Sequence, residues 1–285
     1  MTLDWSYFYL FPLGIVIAIL AMSSGISGTN FWVPVYVLWL KIEPKVGFWL
    51  ALLTMLFGFG SGLVRNMRQD TVRWAVVMRY MAAALPAALL GTLLVPYSNP
   101  SLLLTLFGSF VILYAAKMLY SLHFGKKSAA KRLSPLTNYT VAFIGGFFKG
   151  LISTGLGKLI LPRCIKDERC QHHSEAVGSV VVIVFATNIV AILFRLNEGF
   201  IEILGESWTL LSSILIFVVP GVIAGGQIGP MIAKRLRAKT LQTYVSFVLF
   251  LVGFLIILRA YQEDDYTRLP TASFSAPYIV SSTEV

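Results

Sequence analysis

The residues best able to do chemistry lie in one stretch, 149–162, which reads KGLISTGLGKLILP. Lys149 and Lys158 bracket Ser153, Thr154, Gly155 and Gly157, all inside an apolar run from 139 to 162 that is long enough to enter a bilayer. Lysine in hydrocarbon costs at least about 2.5 kcal/mol, and irregular backbone there leaves amides unsatisfied. Both persist only where they line a protein cavity or water. A second stretch, SGISGTNFWVP at 24–34, repeats the pattern with Ser24, Gly25, Ser27, Gly28, Thr29 and Asn30. Half-helices broken by glycine present N-terminal amides with partial positive charge. Added to hydroxyl and amide donors and the ammonium groups of Lys149 and Lys158, they predict coordination of an anion within a membrane.

The composition fits that setting. Of 285 residues 57% are hydrophobic and only 13% charged, with a mean hydropathy of +0.78, which predicts a polytopic all-α protein of the cell membrane. The net charge of +10 does not predict a nucleic-acid partner, because the basic residues sit in short loops between apolar runs. All 13 acidic residues fall in loops, tails or edges, so no carboxylate lies deep enough to hold a cation or relay a proton. The first apolar run lacks a basic leader segment and is expected to stay in the mature chain.

Eight apolar regions follow in order, at 7–40, 46–64, 74–95, 102–122, 139–162, 176–194, 208–230 and 241–258. The basic break at 123–138, with Lys126, Lys127, Lys131 and Arg132, divides them into a first repeat at 1–122 and a second at 139–260. Trp74, Pro86 and Gly91 recur as Trp208, Pro220 and Gly225 at one constant offset of 134 positions (208 − 74, 220 − 86, 225 − 91). Each half opens with a glycine-broken segment ending in proline, Pro34 or Pro162.

Charge fixes the expected topology. Arg65, Arg68 and Arg73, the basic break, and Lys234, Arg235, Arg237 and Lys239 should all face the cytoplasm. The loop at 97–101 is uncharged, and the loop at 195–207 sets Glu198, Glu202 and Glu206 against Arg195. Eight full crossings would put the cluster around Arg235 outside. The conflict disappears if the first and fifth regions enter and leave on the same side. Each repeat is then a re-entrant broken-helix hairpin plus three transmembrane helices, the second repeat is inverted relative to the first, and the broken pieces meet near the bilayer midplane.

These motifs resemble the TauE/SafE family of sulfite and organosulfonate exporters. The likeness rests on GISGTNFWVP at 25–34, LFGFGSG at 56–62, GLISTGLGKLILP at 150–162 and EAVGSVVVIVFAT at 175–187, and covers about residues 10–258. Where the family shows three glycines this chain has Ser27, Gly28 and Thr29, and where many members carry an acidic residue it has Lys158. The resemblance implies a secondary transporter, not an enzyme, moving sulfite or an organosulfonate by alternating access, with no cofactor. A passive anion channel and a membrane enzyme or assembly factor stay open as alternatives, and so does a homodimer.

Several residues have structural readings beside the functional one. Lys149 could extend to the cytoplasmic surface, the glycines could serve helix packing, and Thr187 and Asn188, mid-membrane in the sixth region, could line the path or bond a neighbouring helix. Trp74 and Trp208 are read as interfacial anchors. The segment CIKDERCQHH at 164–173 holds Cys164, Cys170, His172 and His173, but its spacing matches no standard zinc motif, so no metal is assigned and it is read as a polar loop. Residues 261–285 are expected to form a disordered tail.

Overall fold

In the computed structural model the described residues are 4–24, 27–123, 135–233 and 238–268, and among them every regular element is helical. A 3-10 turn at Trp5–Tyr7 leads into α1 (Leu10–Ser24), α2 (Thr29–Pro34) with a π-turn at Val35–Trp39, α3 (Pro44–Arg68), α4 (Trp74–Leu93) and α5 (Pro100–His123). Then come α6 (Pro135–Ile152), α7 (Leu156–Cys164), α8 (His173–Leu193), α9 (Glu198–Glu206), α10 (Trp208–Ala233) and α11 (Ala238–Arg268). Six of these, α3, α4, α5, α8, α10 and α11, contain segments long and apolar enough to cross a membrane. They are the regions expected to cross. Leu113, Met78, Phe247 and Leu251 are exposed on them, a placement that lipid tolerates and water does not.

The first and fifth regions are hairpins. Arg163 near the end of α7 donates to Asn138 Oδ1 (3.2 Å) and to the Thr137 carbonyl (3.3 Å) in the first turn of α6, so this segment leaves where it started. Tyr9, just before α1, stacks on Trp39 at the end of the π-turn, with ring centroids 5.7 Å apart. The first region therefore also turns back on itself.

The bundle has two ends. The start of α3 meets the loop after α4 through Lys45 Nζ and the Pro96 carbonyl (3.1 Å), and meets the end of α8 through Trp49 Nε1 and the Ile192 carbonyl (3.4 Å). At the other end Arg73, before α4, pairs with Glu175 in the first turn of α8, and Arg79 pairs with Asp167 (3.1 Å). Thus α4 and α10 start at opposite ends, called here the Trp74 end and the Trp208 end. Helix α6 runs parallel to α4, since Gly146 faces Ala84 and Gly150 faces Ala88; α1 runs parallel to α10, since Phe11 faces Gly221 and Ile15 faces Gly225.

Packing repeats under exchange of the halves. Helix α1 packs on α10 as α6 packs on α4, α3 packs on α10 as α8 packs on α4, and α3 with α8 and α5 with α11 pair across the middle. The matched glycines explain the register. A Cβ on Gly91 would strike the Phe147 carbonyl of α6, and a Cβ on Gly225 would strike the Ile15 carbonyl of α1. Close backbone approach of this kind is how membrane helices gain dispersion contact without a hydrophobic driving force.

Three expectations change. The stretch 195–207 is not a plain loop, because α9 forms within it: Asn197 caps it by accepting from the Phe200 amide (2.8 Å), Glu198 sits in its first turn, and Phe200 and Leu204 are buried one turn apart. The composition change after Ala260 does not end α11, which runs to Arg268, since Gln262 and Glu263 suit a helix and no proline follows until Pro270. Helix α6 begins at Pro135, inside the expected linker, where proline suits a first helical position. The linker lysines, the cluster at 234–237 and residues 269–285 lie outside the described residues.

Candidate functional site

The second hairpin turns at Ser153–Gly155. Ser153 adopts a left-handed backbone (φ 62°), and Gly155, at φ 112°, occupies a conformation closed to side chains before α7 begins. Ser153 is held there from both sides: its Oγ donates to the Phe48 carbonyl (3.1 Å), and its own carbonyl accepts from Lys149 Nζ (2.9 Å). Phe48 lies in the second turn of α3, and Thr92, whose Oγ1 reaches the Gly150 carbonyl at 3.5 Å, lies in the last turn of α4. The turn therefore sits nearer the Trp208 end than the middle of the bundle.

The two hairpins touch. Thr154 Oγ1 donates to Asn30 Oδ1 of α2 at 2.7 Å, and both residues are fully buried. Asn30 Nδ2 has no partner, and Ser27 and Thr29 share a hydroxyl bond of 2.8 Å beside it. So Asn30, Thr154, Ser153 and Lys149 form one connected group drawn from both broken segments. Gly28 lies under Met55, where a Cβ would collide with Sδ, and Gly157 packs on Val184 of α8. Ser24 ends α1, and Gly25 is outside the described residues.

The cations are interior. Lys149, 1% exposed, does not extend to the surface but caps the Ser153 carbonyl. Lys158, in the first turn of α7, is buried with Nζ lacking any hydrogen bond and standing 4.0 Å from the Tyr114 ring centroid and 5.7 Å from that of Phe110. Aromatic faces attract a cation but are only weak acceptors of its hydrogen bonds. Arg195, counted from sequence as a loop charge, is 2% exposed, and its Nη2 donates to the Gly150 (2.6 Å) and Leu151 (3.1 Å) carbonyls at the end of α6. No described carboxylate bonds to Lys149, Lys158 or Arg195.

Sequence reasoning missed Arg195 because it directly follows the apolar run of α8, where a helix exit and a buried cap read alike. Of the other expected residues, Thr187 spends its hydroxyl on its own helix, at the Ile183 and Val184 carbonyls (2.9 Å each), and so offers no donor to the path. Asn188 is buried with both amide atoms unpartnered.

The segment at 164–173 has a mechanical role. Cys164 is a buried free thiol, while Asp167 holds Arg79, Arg169 reaches the Ala75 carbonyl (3.3 Å), and Glu175 holds Arg73, clamping the start of α4 to the hairpin exit. Among the described residues no group of three or more His, Cys, Asp or Glu could hold a metal. Also toward the Trp74 end, a cavity of about 320 Å³ opens between α3 and α10, lined by Ser61, Val64, Arg68, Gln69 and Gln227.

The profile of the sulfite exporter TauE/SafE family matches residues 10–256, which takes in both hairpins, five of the six long helices and most of the span on α11. The chain belongs to the sulfite exporter TauE/SafE family. Two relatives support the assignment along nearly their whole lengths. Probable membrane transporter protein YunE of Bacillus subtilis is 21% identical over 272 residues, 87% of this chain and 96% of the relative. Probable membrane transporter protein MJ0441 of Methanocaldococcus jannaschii is 24% identical over 268 residues, 90% and 98% respectively. No solved structure matches the chain. Family membership and the apolar helices together make this a multi-pass membrane transporter of the cell membrane.

Proposed function

We propose that the protein is a secondary transporter that moves a small anion, sulfite or an organosulfonate, across the cell membrane by alternating access. The observation that carries this reading is Lys158: a buried amine with no hydrogen-bond acceptor, in the first turn of a helix whose N-terminus has no side-chain cap. An unpaired buried charge is costly, and a bound oxyanion would supply both the missing charge and the missing acceptor. The α7 amides, Asn30 Nδ2 and Asn188 are the neutral donors of the site, Thr154 orients Asn30, and Ser27, Gly28, Thr29, Gly155, Gly157 and Thr187 build its walls. Lys149 and Ser153 fix the turn beneath it. The absence of a described carboxylate near the lysines favours an anion over a cation, and the family's name favours a sulfur oxyanion among anions.

The carrier is formed by the helices up to His123 and those from Pro135 to Arg268 as inverted repeats, joined by a basic cytoplasmic linker. The Arg73–Glu175 and Arg79–Asp167 pairs close the cytoplasmic face in one state, and the cavity containing Arg68 collects anions there. Purified protein in proteoliposomes should show uptake of labelled sulfite that is stimulated by unlabelled sulfite inside. Uptake without counterflow would indicate a channel, and unaltered uptake after Lys158→Ala and Lys149→Ala would remove the anion site.

A further inference from the structure

Capping the end of α6 accounts for only one nitrogen of Arg195. Nη2 serves the Gly150 and Leu151 carbonyls, but Nε and Nη1 are also shut away from solvent and have no partner. An arginine that merely capped a helix at the membrane edge could leave those groups in water, as long basic side chains usually do. Here the residue is 2% exposed, so the unused N–H groups carry the full cost of unmet hydrogen bonds. Asn188 lies seven residues earlier, in the second-last turn of α8, and both of its amide atoms are buried and unpartnered as well.

We propose that Arg195 is a second anion-coordinating residue of the transport path, acting where α6 ends, and that its guanidinium selects oxyanions over spherical halides. The proposal rests on the anion-transport reading above and deepens it. A guanidinium already oriented by two carbonyls presents its remaining N–H groups in a fixed plane, which suits a solute carrying several acceptor oxygens. A halide offers one centre and gains little from that geometry. Lys149, the residue before the Gly150 carbonyl that Arg195 holds, is anchored on the Ser153 carbonyl by one of its hydrogens and supplies a second cation at the end of α6.

The test uses the full-length protein in detergent, with thermal-shift titrations of sodium sulfite, sodium methanesulfonate and sodium chloride against wild type, Arg195→Lys and Arg195→Gln. The wild type should bind both oxyanions more tightly than chloride. Arg195→Lys, which keeps the charge but loses the planar fork, should weaken oxyanion binding roughly tenfold or more while leaving chloride unchanged. Variants that melt lower yet keep the same oxyanion affinities and the same ratio to chloride would overturn the proposal and leave Arg195 as a helix cap alone. Wild-type binding of chloride as tight as sulfite would overturn it too. Should both variants fail to fold, phenylglyoxal labelling of wild-type Arg195, read by mass spectrometry, decides: protection by sulfite supports the assignment, and equal labelling with and without sulfite overturns it. A wild type that binds none of the anions fails the transport reading itself, whereas tight binding untouched by Arg195→Lys fails only this inference.

Discussion

Replacing Lys158 by methionine should make the empty protein more stable and the anion-bound protein no more stable than the empty one. The opposite signs follow from the geometry. A charged lysine within a membrane segment costs roughly 2.5–3.5 kcal/mol. Its position 4.0 Å over Tyr114 and 5.7 Å from Phe110 offsets about 2 kcal/mol of that by attraction to the ring faces. Methionine keeps the length and a sulfur–aromatic contact while removing the charge, so the empty protein should gain on the order of 1 kcal/mol, or about 2 °C in melting temperature. In the wild type, sulfite at about 100 times its dissociation constant should add roughly 2.7 kcal/mol, because a ligand of the folded state alone stabilises it by mass action. In the variant that increment should vanish. Intrinsic-fluorescence melting of both proteins, with and without sulfite, measures all four states. A variant that melts lower than wild type and retains the sulfite increment would refute the reasoning and make Lys158 a structural cation held by its rings.

Other positions give sharper structural tests. Thr154→Val removes the donor that joins the hairpins at 2.7 Å, leaving Asn30 Oδ1 buried and unmet at a cost of about 1–3 kcal/mol; Thr154→Ser should restore both stability and uptake. Gly150→Ala would drive a Cβ into the Ala88 carbonyl and should abolish folded yield in size-exclusion profiles, whereas Gly62→Ala, with nothing within 4 Å, should be neutral or stabilising by up to about 1 kcal/mol. Arg79→Asp should impair transport through the clamp on Asp167, and combining it with Asp167→Arg should recover sulfite counterflow; a double variant as impaired as the single one would show that charge pairing there is irrelevant. Asn197→Ala should cost about 1 kcal/mol by uncapping α9, measured as a lower melting temperature with sulfite affinity unchanged.

Much of this architecture is a property of the chain read in one dimension. Hydrocarbon demands continuous apolar length, so the six long helices show in composition alone. Glycine, serine and lysine inside such runs are too costly to be incidental, which marks both hairpins and most of the candidate site. The repeat of Trp74, Pro86 and Gly91 in Trp208, Pro220 and Gly225 is legible because equivalent positions meet equivalent neighbours, the Phe147 carbonyl in one half and the Ile15 carbonyl in the other. What the sequence could not supply is which side chains meet across the chain. Arg195 and Lys149 are separated by 46 positions (195 − 149), and nothing local distinguishes an arginine leaving a helix toward water from one folded back onto the end of α6. Whether Lys158 finds an acceptor, whether Thr187 serves its own helix, and how far the second turn reaches toward the Trp208 end are likewise set by long-range packing. A polar group's partner is fixed by distances of a few ångströms between elements far apart in sequence, and only the folded chain brings those elements together.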